Sequence, residues 1–496
     1  MVFRYLRMIG QEREKRYTVV DLTYWKGKKG IMNHPSAHTM VRRGAAAGII
    51  CCVLALPGGC TFPREKIPPR DQEIADVLRL PQDIAPSAGA AGERLSLGND
   101  CQTNLLDEFR RRYFAPWTNA APHYDPAETK ELMKNTARGR WYGGNRRLMA
   151  PEMMRDLLHN CALESFPSRN ETAISVAPAH LRGLPTRLPL FTSKDSYPFD
   201  MLQYPNVKLN EPLRVLHASL DGAWLFVESA YSAGWLEARE VALADRGFID
   251  SWMERPQVVI IRDYATVADP RSGIAHRAKI GTILPLAAAG DGWWEAVVAV
   301  AGEERRAVSS VARLPREAAA PFPLAFDGAN LALIGNQLLG QPYGWGEMYG
   351  LRDCSAMLRD YFLPFGIWLP RTATDQIASA GKQRDLTSLG PREKEETIRR
   401  EGLPFLTLLY KPGHIMLYIG TDPQGRPLVF HNIWSIRLKD AAGERPQLIG
   451  KAVITTLEAG KELGLAERGT LLEQGAALAT ITDRCTEAPA PGRRQP

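Results

Sequence analysis

The stretch DCSAMLRDYFLPF at residues 353–365 decides the fold of the C-terminal third of this 496-residue chain. Apolar side chains recur after Cys354 at the spacing of one helical face: Met357, Leu358, Tyr361, Phe362 and Phe365. Asp353 is a favourable N-cap, so a helix is predicted to begin at Cys354. Unpaired N–H groups and the helix dipole stabilise a thiolate in the first turn, which makes Cys354 a candidate nucleophile. The residues alone leave open a buried core cysteine or a disulfide with Cys485.

Two histidines follow on a predicted hairpin. His414 begins one strand, and His431 lies in the next strand, beyond a type I turn at residues 422–425. A loop with an even number of residues places both imidazoles on one face, whereas a three-residue loop places them on opposite faces. The sequence permits both registers. A cysteine, a histidine and a polar third group form the arrangement of nucleophilic catalysis, which requires the first register.

The segment before this region is rich in short β-type runs. Two similar stretches, residues 221–227 and 291–297, each begin with Asp-Gly ahead of an alternating apolar strand. A hairpin-based repeat of this kind predicts two small β-barrels in tandem, over residues 186–250 and 251–320. Residues 322–483 have the pattern of an α+β domain.

The N-terminal part has fewer signals. Residues 61–100 are rich in Pro, Ala and Gly, which predicts a flexible tether with one short helix near residues 72–80. Residues 101–185 predict a small helical or mixed unit, and residues 484–496 a disordered tail. The chain as a whole is therefore predicted to be a multidomain α+β protein.

The charge distribution excludes one class of partner. The net charge of +7 comes entirely from residues 1–59, because the rest of the chain has equal numbers of basic and acidic side chains. A body without net charge has no global field for nucleic acid, so no nucleic-acid partner is expected. No apolar run in a predicted folded domain reaches the ~20 residues of a membrane-spanning helix, which excludes a polytopic membrane protein.

Residues 1–60 have the features of an export leader. Arg42 and Arg43 precede the apolar segment 44–56, and Pro-Gly-Gly then precedes Cys60. This order predicts a lipoprotein signal with Cys60 as the lipidated first residue, ordinary cleavage or a retained anchor being the alternatives. Met40 is an alternative start of translation. We expect a lipid-anchored periplasmic protein, with the outer membrane favoured over the inner.

Export to an oxidising compartment makes disulfides possible. Four cysteines remain after Cys60: Cys101, Cys161, Cys354 and Cys485. Cys101 and Cys161 are a candidate pair, which their separation on the chain neither supports nor excludes.

The motifs together resemble a known family. The residues that carry the resemblance are Pro342-Tyr343-Gly344-Trp345-Gly346, Asp353-Cys354-Ser355, Gly413-His414-Ile415 and His431. They are similar to the motifs of the NlpC/p60 cysteine peptidases, which have a papain-like fold and a Cys-His-His triad, and the match is best over residues 322–450. The two β-repeats resemble bacterial SH3-like domains, and residues 101–185 resemble the clip-like N-terminal region of lipoprotein members.

The resemblance implies a role for each motif residue. Cys354 becomes the nucleophile, His414 the base and His431 its orienting partner. It also implies a substrate site, which we assign to Tyr231, Tyr343, Asp353, Ser355, Arg371 and Thr372. Thr372 stands where relatives have an aspartate that binds the free amino group of a terminal L-Ala, and this leaves the need for a free amine open. Glu228 and Asp375 are candidates to replace that charge.

The activity implied is hydrolysis of the γ-D-glutamyl–diaminopimelate bond in peptidoglycan stem peptides or muropeptides, without a cofactor. No metal is expected either, since no group of residues has the spacing of zinc ligands. One alternative is a non-catalytic lipoprotein that binds peptidoglycan through its SH3-like domains. Another is a papain-like amidase or acyltransferase. The oligomeric state is left open.

Overall fold

The computed structural model describes residues 73–92, 97–440, 443–464 and 469–486. The predicted leader, the lipidation site at Cys60 and the tail beyond residue 486 lie outside the described residues. Within the ranges described, no helix is both long enough and apolar enough to cross a membrane.

The N-terminal part is helical. Its helices are α1 (Ala75–Arg79), α2 (Ala85–Ala91), α3 (Asn99–Tyr113), α4 (Ala115–Thr118), α5 (Pro126–Arg138) and α6 (Pro151–Asn160). Asp125 caps α5 by accepting hydrogen bonds from the N–H groups of residues 127 and 128, and Pro126 occupies the first helical position. Helix α1 lies where the sequence predicts a short helix.

The prediction of a flexible tether is wrong for residues 73–92. Ile74 and Ile84 are 1% and 0% exposed, so this segment is packed rather than free. The Gln82 side-chain amide donates to and accepts from the backbone of Ile454, both at 2.9 Å. Gly335 of the C-terminal domain permits the close approach of this segment, because a Cβ atom there would lie 2.7 Å from the Ile84 side chain.

The first β-barrel begins earlier in the chain than predicted. Its seven antiparallel strands are ordered β3-β2-β6-β5-β4-β1-β7. They are β1 (Glu171–Ser175), β2 (Ala179–Arg182), β3 (Gln203–Val207), β4 (Pro212–Ala218), β5 (Trp224–Ser229), β6 (Ala233–Glu237) and β7 (Val241–Leu243). Strands β1 and β2 thus lie inside the segment 101–185 that was assigned to the helical unit. Their short length and the flanking Pro178 weaken the alternation by which strands are recognised.

The second β-barrel follows helix α7 (Arg246–Met253). A five-stranded sheet has the order β13-β12-β11-β8-β14, and β9 pairs with β10. The strands are β8 (Gln257–Ile260), β9 (Ala265–Ala268), β10 (Ala275–Ala278), β11 (Ile283–Gly290), β12 (Trp293–Ala301), β13 (Ala307–Pro315) and β14 (Ala319–Pro321). Gly222 and Gly292 have φ values of 69° and 84°, so both Asp-Gly turns adopt the left-handed conformation that their sequence predicts.

The C-terminal domain packs helices against a six-stranded antiparallel sheet of order β15-β20-β16-β17-β18-β19. Its strands are β15 (Arg384–Asp385), β16 (Thr407–Lys411), β17 (His414–Thr421), β18 (Pro427–Asp440), β19 (Gly443–Thr456) and β20 (Ala477–Thr480). Its helices are α8 (Gly328–Leu338), α9 (Cys354–Phe362), α10 (Ala373–Ser379), α11 (Pro391–Glu401), α12 (Leu471–Gln474) and α13 (Asp483–Thr486). Helix α9 begins at the predicted residue, where Asp353 accepts a hydrogen bond of 2.9 Å from the N–H group of Ala356.

The disulfide joins Cys101 to Cys485, so the proposed Cys101–Cys161 pair is wrong. Cys161 and Cys354 are free and buried, which also removes the alternative pairing of Cys354 with Cys485. The prediction of a disordered tail is wrong for residues 484–486, because they belong to α13 and Arg484 forms an ion pair with Glu108 on α3. The disulfide therefore ties the end of the C-terminal domain to the N-terminal helices.

Loss of this disulfide should destabilise the protein. The bond closes a loop of 384 residues, and cross-links that close long loops restrict the unfolded chain most. We expect Cys101→Ser to lower the free energy of unfolding by about 2–4 kcal/mol in denaturant titrations. Cys161→Ala is the control, because it keeps the disulfide and should lose stability on reduction as the wild type does, whereas Cys101→Ser should show no further loss. Two free thiols at Cys101 and Cys485 in unreduced protein would contradict the pairing.

Candidate active site

Cys354 lies in the first turn of α9 and is 7% exposed. Its sulfur interacts with the backbone N–H groups of Ile415 and Ser355, so it lies beside the start of β17. Burial, followed by the charge of Asp353, raises the pKa of the thiol to about 11. Desolvation therefore opposes the thiolate that the helix terminus and the two backbone N–H groups favour.

A bulge in β17 decides where the two histidines lie. Thr421 pairs with Pro427, so the loop 422–426 has an odd number of residues. Ile419 is an extra residue between the pairs Tyr418–Val429 and Gly420–Leu428. The bulge shifts the pairing of the two strands by one residue. On the side of the bulge nearer to the histidines, Leu417 therefore pairs with Phe430. Both imidazoles consequently point to one face, as catalysis requires.

The two imidazoles are in direct contact. His414 Nε2 lies 2.8 Å from His431 Nδ1, and His431 is completely buried. Burial lowers the pKa of His414 well below its usual value, with further contributions from His431 and Lys411. Burial and Lys411 also lower the pKa of His431, to about 3. Both rings are thus neutral near pH 7, as is the Cys354 thiol.

Thr455 on β19 is a site residue that the sequence analysis missed. Its Oγ1 lies 3.0 Å from His431 Nε2, and its side chain is buried. When His431 Nε2–H donates to this hydroxyl, His431 Nδ1 accepts from His414 Nε2–H. His414 Nδ1 is then left unprotonated and can act as a base. The opposite set of tautomers would protonate His414 Nδ1, so Thr455 helps to set the state of a ring it does not touch.

The N-cap of α9 is fixed by a buried guanidinium. Arg371 donates to both carboxylate oxygens of Asp353, at 3.1 and 2.7 Å, and to Ser355 Oγ at 2.9 Å. Arg371 Nε lies 2.8 Å from Glu347 Oε1. Arg371, Asp353 and Ser355 are each less than a tenth exposed. Their predicted contact with substrate stays a prediction, and what the structure places there is a support for the nucleophile helix.

Thr372 caps α10 by accepting a hydrogen bond from Asp375 N–H at 3.2 Å, and its hydroxyl donates to the Asp375 carboxylate. Glu228 is buried and accepts from the N–H groups of His123 and Tyr124, at 2.8 and 3.2 Å. Burial first, then the charges of Glu228 and Asp375, raise the pKa of Tyr124. The two carboxylates named as replacements for the missing aspartate therefore lie near the same tyrosine.

The two predicted tyrosines differ in exposure. Tyr231 is 3% exposed, and its ring stacks on Trp368 at a centroid distance of 4.4 Å with Arg359 over it at 4.9 Å. Tyr343 is half-buried, and its ring lies 5.8 Å from that of Trp434 on β18. Tyr231 thus packs between the first barrel and the C-terminal domain, whereas Tyr343 lies in the loop that precedes Cys354.

The protonation state of Cys354 can be tested by alkylation. Because the thiol has a pKa of about 11, its rate of reaction with iodoacetamide should rise about tenfold per pH unit through the neutral range. Peptide mass spectrometry at several pH values measures the rate at this cysteine, with Cys161→Ala as the control that leaves the profile unchanged. A plateau near neutral pH would instead indicate a preformed thiolate–imidazolium pair.

The role assigned to Thr455 predicts a change in tautomer. Thr455→Val removes the hydroxyl and should mix the tautomers of His414, which nitrogen-15 NMR of the imidazoles detects. Thr455→Ser keeps the hydroxyl and should restore the wild-type tautomer. Reduced thermal stability with unchanged tautomers would limit Thr455 to packing.

Family models match four consecutive parts of the chain. Residues 49–166 match the N-terminal NLPC_P60 stabilising domain, and residues 340–434 match the NlpC/P60 family. Between them, residues 189–237 match an SH3 domain of SH3b1 type and residues 245–290 one of SH3b2 type. Cys354, His414 and His431 all lie inside the NlpC/P60 match. A comparison with curated protein sequences gives no significant match.

A solved structure shares the fold of this chain. An NlpC/P60 endopeptidase from Photobacterium damselae subsp. piscicida superposes with a TM-score of 0.74 at 21% identity, over 81% of this chain and 97% of that one. An NlpC/P60 family protein from Bacillus cereus gives a TM-score of 0.43 at 16% identity, over 63% and 99% of the two chains. The predicted order of a helical region, two SH3-like barrels and an α+β peptidase-type domain is thereby confirmed. Members of the NlpC/P60 family are generally cysteine peptidases. This chain carries an NlpC/P60 domain, which is preceded by that family's stabilising domain and by two SH3 domains.

Proposed function

We propose that this protein is a cysteine endopeptidase that hydrolyses the γ-D-glutamyl–diaminopimelate bond of peptidoglycan stem peptides. The observation that carries the proposal is the buried pair of imidazoles, joined at 2.8 Å, of which His414 lies on the strand whose Ile415 N–H group interacts with the sulfur of Cys354. A neutral imidazole that is held by a second one is suited to accept a proton from a thiol. The NlpC/P60 match over the same residues supports the reaction class.

The mechanism follows from the neutral state of the pair. His414 takes the thiol proton as Cys354 Sγ attacks the γ-glutamyl carbonyl, because a thiol with a pKa of about 11 does not ionise beforehand. Backbone N–H groups near the sulfur stabilise the oxyanion. His414 then protonates the departing diaminopimelate amine, and the thioester forms. Water, deprotonated by His414, hydrolyses the thioester and regenerates the thiol.

Recognition of a free amino terminus is assigned to Asp375. Thr372 replaces the aspartate expected at that position, but its hydroxyl donates to the Asp375 carboxylate, so a negative charge is present one helical turn away. Glu228 is less suited, since burial raises the pKa of its carboxyl group and backbone N–H groups already bind it. The ammonium of the terminal L-Ala would therefore face Asp375.

The cellular setting is part of the same proposal. A lipid anchor at Cys60 would hold the enzyme on the periplasmic face of a membrane, with the outer membrane favoured. This assignment depends on residues 42–61 alone.

Product analysis tests the activity. The purified protein, incubated with L-Ala-γ-D-Glu-diaminopimelate, should release free diaminopimelate, which mass spectrometry detects. Cys354→Ala should abolish the release, because the nucleophile is lost, and Cys161→Ala should retain it. A peptide with an N-acetylmuramyl cap should be cleaved at least about tenfold more slowly, the loss expected for one charged hydrogen bond.

Other results would redirect the assignment. Asp375→Asn should remove the preference for the uncapped peptide, and a preference that persists would reject Asp375 as the amine ligand. Cleavage at another bond would indicate an amidase. Wild-type protein that cleaves neither peptide, yet binds wall fragments as well as Cys354→Ala does, would favour the non-catalytic binding protein.

A further inference from the structure

A cavity of about 280 Å³ lies where the two barrels meet the loop before the nucleophile helix, away from the Cys354 thiol. The first barrel contributes Lys208, the second contributes Arg277 and Lys279, and the C-terminal domain contributes Glu347. One water needs only ~10–15 Å³ of such a cavity, so there is room for a ligand of several heavy atoms.

The cavity borders a connected set of buried ion pairs, here called the interdomain charge network. Its cations are Lys208, Lys279, Arg352, Arg359 and Arg371, and its carboxylates are Asp263, Glu347, Asp353 and Asp360. Every one of these side chains is at most 10% exposed. Glu211 is also buried beside Lys208, whose backbone N–H group donates to its carboxylate at 3.0 Å. A buried cation is costly unless an anion lies close to it, so the question is whether each cation of the network has such a partner.

Lys279 is the cation with the weakest partners. Among the described residues, its nearest carboxylate oxygen is Asp360 Oδ2 at 3.9 Å, and its hydrogen bond to the carbonyl of Leu351 is long, at 3.4 Å. By contrast, Lys208 Nζ lies 2.6 Å from Asp360 Oδ1. An ammonium group has three hydrogen-bond donors, so Lys279 has capacity for oxygens of a ligand.

The pKa values of Lys279 and Glu211 are both changed by burial in this region. Burial lowers the pKa of Lys279 to about 7, so its charge is only partly retained without a closer anion. Glu211 lies near Lys208 and Arg359, and burial raises the pKa of its carboxyl group to about 7, so it is only partly ionised at neutral pH. An anion that binds at Lys279 would keep that lysine charged. Arg277 is exposed at the cavity and adds a further positive charge.

We propose that this cavity is a binding site for a small anion, a carboxylate or a phosphate, whose oxygens pair with Lys279 and are oriented by Lys208 and Arg277. The ligand would supply the close negative partner that Lys279 does not have in Asp360, which lies 3.9 Å away. The inference does not depend on the proposed peptidase activity.

Calorimetric titration of the full chain with sodium succinate and, separately, with sodium phosphate tests the site. At least one anion should bind with a stoichiometry near one and raise the melting temperature, since a ligand of the native state stabilises it. The better anion identifies the class of ligand. Sodium chloride at matched ionic strength should do neither, and equal stabilisation by chloride would overturn the proposal.

Three variants locate the binding. Lys279→Met should weaken the affinity about tenfold or more, because a charged hydrogen bond is lost. Arg277→Gln is exposed, is expected to fold normally and should weaken the affinity about threefold. Lys194→Met, a lysine exposed on the first barrel, should change nothing. The site would be overturned if neither anion binds. It would also be overturned if both Lys279→Met and Arg277→Gln leave the affinity unchanged. If Lys279→Met does not fold, Arg277→Gln decides alone.

Discussion

The ion pairs of Glu347 are the constraint on which the rest of the site depends. This carboxylate is fully buried, binds both terminal nitrogens of Arg359 at 2.9 and 3.0 Å, and lies 2.8 Å from Arg371 Nε. The guanidinium of Arg371 then holds Asp353, the cap of the nucleophile helix. Since an unpaired charge at this depth would be strongly destabilising, the loop, the helix and Arg371 can adopt only arrangements that keep these pairs. The position of Cys354 follows from that restriction.

Burial of the whole site also determines its chemistry. A helix terminus alone favours a thiolate, but Cys354 is enclosed and adjoins Asp353, so the neutral thiol prevails. The same desolvation keeps His414 and His431 neutral. In the proposed mechanism, a neutral pair leaves proton transfer for the moment of attack, so the tautomer of His414 decides whether it can accept the proton. This is why Thr455, which contacts only the second imidazole, belongs to the site.

Features set by neighbouring residues could be predicted from the sequence, whereas features set by distant residues could not. The start of the helix at Cys354, its cap at Asp353 and the two Asp-Gly hairpins depend on a few consecutive residues. The bulge at Ile419 depends on how two strands pack, and no local signal distinguishes it. The Cys101–Cys485 bond joins residues 384 positions apart, and the packing of residues 73–92 depends on a surface that is formed much later in the chain.

The resemblance implies that Arg371 and Tyr231 contact substrate, and this stays a prediction. In the structure both side chains are buried, where an arginine pairs with carboxylates and a tyrosine stacks on another ring. Glu347, Trp368 and Arg359 supply those partners, and their proximity exists only in the folded chain. The two barrels contribute Lys208, Asp263 and Lys279 to the pairs beneath the nucleophile helix. The barrels therefore help to support the C-terminal domain. Any binding role of the barrels has to be compatible with this structural role.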